Sequence, residues 1–431
     1  MKSKILKICM FVLIYIVLIT IFLVTLFATS CFPNENIKDK VEASSKTLSH
    51  EGNVNMQYIL HRGQRIMFDN FTDALMINNA YSIDNENPLE SAMLVRKNYI
   101  KGVTKEVHTD TTGELESPKK YDGYDPVSEL QDTVNNNIEE SYEYARYWHG
   151  YLIVLRPLLL FFDISQIRII LTVILIILAI VLLFLIAKKI GIRTMICFLI
   201  SLIFVEYFYM GQSLQGVSIF IIMMVSSIII LLKDAKIKNF GIFFFVIGIV
   251  TNFFDFLTVP ILTIFVPLII YFLLTQRDEK MELKKSVCVF LKYTLLWGIG
   301  YILTWISKWV IVDILYNRNL IYTSIMQMMY RSGEKNKTIE SIQNNLKYEI
   351  DIIKIYAIFV LTGAIVNKLK YGKNARIISK ESIPYLVIGL VPFAWYIFIA
   401  NHSILHHFFT YRNLFLTLIC MPFIVRVRKI E

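Results

Sequence analysis

Residues Ile5–Ala28 read ILKICMFVLIYIVLITIFLVTLFA, an apolar run whose one charge is Lys7. A helix rises about 1.5 Å per residue, so about 20 such residues cross the roughly 30 Å of hydrocarbon in a bilayer. Lipid gives backbone N–H and C=O groups no partner, so a spanning segment is helical, and unusual chemistry is confined to loops and helix ends. The run is longer than the roughly 7–15 residues of a signal-peptide core. That length favours a retained anchor, although Phe27-Ala28-Thr29-Ser30-Cys31 loosely resembles a lipoprotein cleavage site.

Beyond this run the chain is polar to about Tyr147 and then apolar, segment after segment, to Ile424. Of 431 residues, 55% are hydrophobic and only 18% charged, with a mean hydropathy of +0.54. That balance excludes a soluble globular protein. The net charge of +10 lies in short clusters between apolar runs and forms no long basic face, so it reads as membrane topology, with no nucleic-acid partner. Cys9, Cys31, Cys197, Cys288 and Cys420 include no CxxC pair, and neither a disulfide nor a zinc or redox site is signalled.

The expected fold is an all-α polytopic membrane protein of about ten transmembrane helices. Residues 1–28 form the first span, 29–166 a large extracytoplasmic loop with juxtamembrane helices, and 167–431 a membrane domain of about nine more spans. Those spans fall near Ile167–Ala187, Thr194–Tyr209, Leu214–Leu232, Phe240–Phe256, Leu257–Thr275, Val287–Val312, Ile352–Asn367, Ile383–Ala400 and Asn413–Val425. With both termini cytoplasmic, every short basic loop falls inside: Lys188–Arg193, Lys233–Lys238, Arg277–Lys285, Lys368–Lys380 and Arg426–Lys429. All seven His then lie outside, so a reaction on that face is the natural expectation.

Within the large loop, Leu60–Ile83 and Val127–Tyr144 carry helical spacings around a Gly- and Pro-containing, charged stretch, Lys105–Pro126, expected to be flexible. On a helix Asp69 and Asp73 share one face, four residues apart, where mutual repulsion raises one pKa and the pair can act as base and orienter. Asp69 or Thr72 can equally serve as a helix cap. The loop ends in Tyr144-Ala145-Arg146-Tyr147-Trp148-His149-Gly150-Tyr151, followed by an apolar stretch to Phe162 that is too short to span. It reads as an interfacial helix whose Arg146 and Arg156 reach lipid phosphates.

Three further positions stand out. Asp255, at the edge of hydrocarbon, calls for a partner or a wet cavity. Asn401–Arg412 brings His402, His406, His407 and Arg412 to one boundary, a group suited to phosphate. Adjacent His side chains diverge and no HExxH spacing occurs, so no metal is assigned. Lys308 reads as a snorkelling anchor and Glu206 as peripheral. Walker A, GxSxG and GxGxxG sequences are absent.

One amino-terminal span, a long outer loop with early acidic residues, an interfacial helix and a charged last outer loop together resemble the GT-C superfamily of membrane glycosyltransferases. The resemblance is one of layout, over nearly the whole chain. It implies an acidic catalytic residue early in the first outer loop, matched here by Phe68-Asp69 with Asp73 close by, and a sugar donor carried on polyprenyl phosphate. Arg146, Arg156, His406 and Arg412 would then face the lipid phosphate, while Trp148 and neighbouring aromatics stack on sugar. His149, Asp255 and His402 complete the expected substrate-binding set. The partners implied are the lipid-linked sugar, membrane lipids and a glycan or lipid acceptor, with no cofactor and an optional divalent metal. A polysaccharide polymerase or ligase, a flippase or transporter, and a non-enzymatic envelope assembly protein are the competing classes. The abundance of Ile, Lys, Asn and Tyr fits an AT-rich bacterial coding sequence, and so a bacterial plasma membrane.

Overall fold

The computed structural model describes residues 2–59, 64–99, 125–138, 140–278, 281–333, 337–371, 375–376, 380–425 and 428–429. The amino-terminal helix α1 (Lys2–Ser30) leads into a polar cap. The cap contains α2 (Lys38–Glu51), the hairpin β1 (Val54–Ile59) and β2 (Gln64–Asp69), α3 (Asn70–Tyr81), α4 (Pro88–Leu94) and β3 (Arg96–Tyr99). It closes with α5 (Pro126–Val134), β4 (Glu140–Glu143), which pairs antiparallel with β3, and α6 (Leu152–Leu159). The apolar part follows as α7 (Ile164–Lys189), α8 (Ile192–Phe204), α9 (Leu214–Leu232), α10 (Phe240–Phe254), α11 (Leu262–Asp278) and α12 (Leu283–Tyr316). After α13 (Leu320–Ser332) and α14 (Thr338–Tyr371) come β5 (Ala375–Arg376), α15 (Ile383–Phe398), α16 (Ala400–Leu405), α17 (His407–Thr410), α18 (Phe415–Ile424) and β6 (Arg428–Lys429).

Among the described residues, five helical segments are long and apolar enough to cross a membrane: Ile5–Ser30, Ile164–Lys189, Leu214–Leu232, Leu283–Tyr316 and Lys380–Phe398. Three shorter apolar helices, Ile192–Phe204, Phe240–Phe254 and Leu262–Arg277, accompany them. The expected spans thus fall on helices, but several are shorter than expected. The helix from Thr194 stops at Phe204, and Leu257–Ile261 precedes α11 as an irregular bend around Pro260. Exposed apolar side chains such as Ile169, Ile177, Ile180 and Phe184 on α7 are what a lipid-facing surface requires, whereas every residue from Leu262 to Ile270 on α11 is buried among other helices.

The helices are sorted end for end. At one end, Arg277 at the close of α11 donates to the Lys189 carbonyl at 2.9 Å and pairs with Asp234 at 3.4 Å, and Lys189 lies 3.7 Å from Asp234. The Tyr385 hydroxyl donates to Gln276 at 2.9 Å, and β5 pairs with β6 nearby in sequence to the last two basic clusters. At the other end the starts of α7 and α9 meet the polar cap. So α7, α9 and α11 run parallel, and the basic turns gather opposite the cap.

Some local expectations are corrected. Gln64–Asp69 is a strand, because Ile66 and Phe68 are buried at a period of two across a hairpin register of Ile66 with Gln57 and Phe68 with Asn55; the helix begins only at Asn70. Val127–Tyr144 divides into α5 and β4. The helical expectation therefore holds for the bulk of the apolar part, which among the described residues adds only the short β5–β6 pair, while the cap carries the β1–β2 hairpin and the long-range β3–β4 pair. Residues 101–124, with most of the stretch expected to be flexible and with His108, lie outside the described residues, as does His61.

At the crossing of α10 and α12 two glycines let backbones touch: a Cβ on Gly248 would collide with the Trp297 carbonyl, and one on Gly300 with the Phe245 carbonyl. Close approach through small residues is how apolar helices gain packing where lipid supplies no hydrophobic drive. Gly248→Val should cost about 1–3 kcal/mol or more by overpacking, and lower the thermal unfolding midpoint of the detergent-purified protein; an unchanged midpoint would contradict this crossing.

Candidate functional site

The cap is tied to the apolar helices through a buried arginine. Arg168 lies one turn into α7, which starts with a capping box in which Asp163 accepts from Ser165 and Gln166. Its guanidinium donates to Glu51 at 3.1 and 2.8 Å, to Asn70 Oδ1 at 2.7 Å and to Asp73 at 3.4 Å. Asn70 in turn donates to Glu51 and to the Gly52 carbonyl, each at 2.9 Å. The other Asp73 oxygen accepts the Leu214 N–H at 2.9 Å, one of the donors that the first turn of α9 leaves unpaired. Four elements, α2, α3, α7 and α9, thereby converge on the first turn of α3.

Asp69 is the last residue of β2 and the N-cap of α3, accepting from Thr72 N at 3.2 Å and Thr72 Oγ1 at 2.5 Å. It is thus a cap, as one sequence reading allowed, and not a helical neighbour of Asp73. Burial raises its pKa above the ordinary carboxylate range, against the lowering pull of the Thr72 hydrogen bonds. Asp73 is fully enclosed. Burial pushes its pKa up to about 7, with the Arg168 charge opposing and the nearby Asp69 adding to the rise.

Asp69 and Arg412 line one cleft of about 370 Å³ of empty space, between the end of β2, the start of α9, the Leu257–Ile261 bend and the turn at Phe408. Phe68, Met210 and Phe409 form apolar walls, and Ser213, Gln215 and Thr258 supply hydroxyl and amide groups. Arg412 is 2% exposed. Its Nε donates to the Val205 carbonyl at 3.1 Å and one Nη to the Phe408 carbonyl at 3.0 Å, with the guanidinium over the Phe68 and Tyr411 rings. Its second Nη has no partner among the described residues. A buried guanidinium with a donor to spare, across a cleft from a carboxylate of raised pKa, is equipped to hold an anion beside a proton acceptor.

The remaining expected site residues are placed differently. Arg156 cannot reach lipid phosphate: it is fully buried and donates to the Thr29 and Phe32 carbonyls at 2.8 Å each, to Asn34 at 3.0 Å and to the Ala80 carbonyl. Burial lowers its pKa to about 10. Trp148 cannot stack on a sugar, being fully buried with its indole N–H on the Thr304 carbonyl at 2.6 Å. His149 bonds the Tyr144 carbonyl at 2.6 Å, and burial, reinforced by Lys308, pulls its pKa down to about 3. Asp255 has its partners in hand: Thr258 N at 2.9 Å, Thr258 Oγ1 at 2.7 Å and the Tyr301 hydroxyl at 3.2 Å.

His402 is buried on the Leu257 carbonyl at 2.8 Å, with its pKa well below the imidazole range through burial first and then His406 and Arg331. His406 stacks on Phe409, at 5.2 Å between centroids, and burial with the Arg331 charge lowers it to about 3. Both rings are therefore neutral wall groups beside the cleft, not phosphate-binding cations. Arg146 lines a separate cleft, with Trp305 and Trp309. Lys308 is no snorkelling anchor but fully buried on the Met93 carbonyl at 2.6 Å, and Glu206 is not peripheral but buried against the Tyr411 hydroxyl.

The sequence reading overlooked Arg168, Glu51 and Ser213. Arg168 alone carried a signal, an ionisable residue one turn inside an apolar run. No family model, curated protein or solved structure matches this chain.

A carboxyl whose folded pKa lies near 7, against about 3.9 when free, binds more protons folded than unfolded between those values, so stability falls as pH rises through that window, by up to about 1.4 kcal/mol per pH unit. Asp73→Asn keeps an acceptor for Leu214 N–H and removes the titration. Thermal unfolding of the wild type should drop more between pH 5 and 7 than that of Asp73→Asn, and parallel curves would contradict the assignment.

Proposed function

We propose that this chain is a multi-pass plasma-membrane glycosyltransferase that moves a sugar from a polyprenyl-phosphate donor to an envelope glycan or lipid acceptor. Asp69 is the base and Arg412 the phosphate-binding group. The observation that carries this reading is the single cleft that unites a raised-pKa carboxylate with a buried, incompletely bonded guanidinium. The two groups come from opposite ends of the sequence and meet where the cap sits on the apolar helices.

The transfer needs few parts. Asp69 takes the proton of the acceptor hydroxyl as its oxygen attacks the anomeric carbon, and the bond from that carbon to the phosphate oxygen breaks with its electron pair leaving on the polyprenyl phosphate. Arg412 meets the charge that develops on that phosphate, in a cleft with apolar walls where such a contact is strong. The first turn of α9, beside the cleft at Ser213–Gly216, adds the positive end of a helix dipole. Asp73, enclosed and outside the cleft, positions Asp69 by fixing the first turn of α3.

The membrane arrangement in this proposal has about ten spans, both termini cytoplasmic and the cap extracytoplasmic. The shorter helices α8, α10, α11 and α18 and part of α14 complete the set begun by the five long ones. The contacts among Lys189, Asp234 and Arg277 support it, because they gather three basic turns on one side, as the preference for basic residues in the cytoplasm requires.

Asp69→Asn preserves the cap of α3, since Asn caps as well as Asp. In cells pulsed with tritiated monosaccharides, it should cut passage of label from the polyprenyl-linked pool to envelope glycan by about 10²-fold or more, at unchanged protein abundance. Normal passage of label would remove Asp69 as the base.

A further inference from the structure

Helix α13 is built inside out. Its sequence, LIYTSIMQMMYRS, sorts onto two faces at helical spacing. One face holds Leu320, Ser324, Gln327 and Arg331, and Ser324 is 2% exposed. The opposite face holds Ile321, Tyr322, Ile325, Met328 and Met329, each between 38% and 58% exposed. From Ile321 to Met329 these are the exposed residues, and Tyr322 alone among them has a polar tip. A helix on a protein surface in water turns its apolar stripe inward and its polar residues outward. Helix α13 does the reverse, so the medium outside it is apolar.

Its position fits that medium. The Asp313 carboxylate, on the last turn of α12, accepts the Leu320 N–H and, at 3.0 Å, the Ile321 N–H, so α13 starts level with the end of α12. At its other end Arg331 donates to the Tyr147 hydroxyl, and the Tyr147 ring stacks on Trp305 with centroids 6.0 Å apart. The helix therefore runs back along α12 from Asp313 to Trp305, about two turns, or about 12 Å. With 34 residues α12 is about 51 Å long against roughly 30 Å of hydrocarbon, so this outer part of it reaches the headgroup boundary. Trp305, Trp309, Tyr316, Tyr322 and Tyr330 fall within it, and such residues gather at membrane–water interfaces.

The apolar face also continues one that lipid has to cover. On α12, Ile302 and Ile306 are 55% and 41% exposed, and each lies three residues from Trp305 or Trp309, the rings that turn toward α13. Ile314, at the top of α12, is 76% exposed. A second copy of this chain fits less well, because a protein interface carries a polar rim and about one hydrogen bond per 100–200 Å², and this face offers one hydroxyl. Both ends of α13 are tied to the cap, through Arg318 to Glu143 at 2.8 Å and through Arg331 to Tyr147, which leaves the outer face free.

We propose that α13 lies along the cap-side leaflet with this face among the lipid acyl chains, an interfacial helix between two spans. It falls between the expected spans Val287–Val312 and Ile352–Asn367, in a stretch too short to cross a membrane by itself. The proposal concerns lipid contact alone: it needs no reaction at Asp69 and holds on whichever side of the membrane the cap lies.

The full chain, freed of its five native cysteines and reconstituted in phosphatidylcholine nanodiscs, is spin-labelled one position at a time at Ile325→Cys and Met329→Cys. Ile306→Cys is the lipid-facing reference and Glu86→Cys the aqueous one. Power-saturation electron paramagnetic resonance reads how often each label meets oxygen, which partitions into lipid, and a water-soluble nickel chelate. At 325 and 329 the ratio of oxygen to nickel collisions should rise to the value at 306 and stand well above that at 86. A ratio equal to that at 86 would mean water outside the helix, and rare collisions with both reagents would mean a protein cover, a second copy included; either result overturns the proposal. The unsubstituted chain gives a check that needs no variant. Phosphatidylcholine with a diazirine in its acyl chain should, on irradiation, mark Ile321–Met329 as it marks the segment around Ile306, and marking of the second without the first would overturn the proposal as well.

Discussion

The architecture depends on one buried guanidinium. Arg168 is 3% exposed, on a helix otherwise built for lipid, and its charge is tolerable only because Glu51, Asn70 and Asp73 surround it. Removing one member of such a set leaves an uncompensated buried charge, typically a loss of about 3–5 kcal/mol. The same contacts that neutralise Arg168 fix the first turn of α3 against α7 and α9. The orientation of Asp69, the residue that caps that turn, is therefore set by the membrane helices and not by the cap alone. A polar cap held merely by apolar contact could slide on its support; this one is pinned by hydrogen bonds of defined geometry.

Burial and long-range bonding mark several charged and polar groups of this face as scaffold. Arg156 spans the end of α1, the stretch after it and the end of α3, donating to three carbonyls and a side-chain oxygen, so it is a bracket. Trp148, Asp255 and His402 also have long-range or local partners in hand, whereas His149 bonds through Nε2 and keeps a buried Nδ1 with no partner among the described residues. Arg412 differs from Arg156 in having a donor left over and an opening in front of it. Burial first, and then the nearby Arg331 charge, holds the His402 and His406 imidazoles below their ordinary pKa.

The large features were legible in the sequence because they follow from solvent. Apolar runs such as Ile5–Ala28 and Leu214–Leu232 are helices for the reason that lipid offers their backbones nothing else. The hairpin before α3 was misread because Asp69 and Asp73 carry helical spacing across a boundary that Asp69 itself creates as N-cap. Residue type drew attention to Asp69 and Arg412, which the fold brings to one cleft, but it could not tell them from Arg156 or Trp148, whose sequence settings are just as suggestive. That distinction lies in long-range partners: Thr29 and Ala80 for Arg156, Thr304 for Trp148. Nothing local in the sequence announces them. The pairing of Trp305 and Trp309 on the Arg146 carbonyl was likewise invisible, although their spacing of one helical turn places them on one face.

The chain is segregated: basic turns around Lys189, Asp234 and Arg277 at one end of the helices, and the cap with its carboxylate and aromatic clefts at the other. Sidedness is the most direct check. In a background free of the five native cysteines, single cysteines at the exposed positions Glu86, Asn136 and Lys233 can be treated in intact cells with a membrane-impermeant maleimide. Segregation with the cap outside requires that positions 86 and 136 label in intact cells and that position 233 label only after permeabilisation. Labelling of 233 in intact cells, with 86 and 136 protected, would place Asp69 on the cytoplasmic side and contradict it.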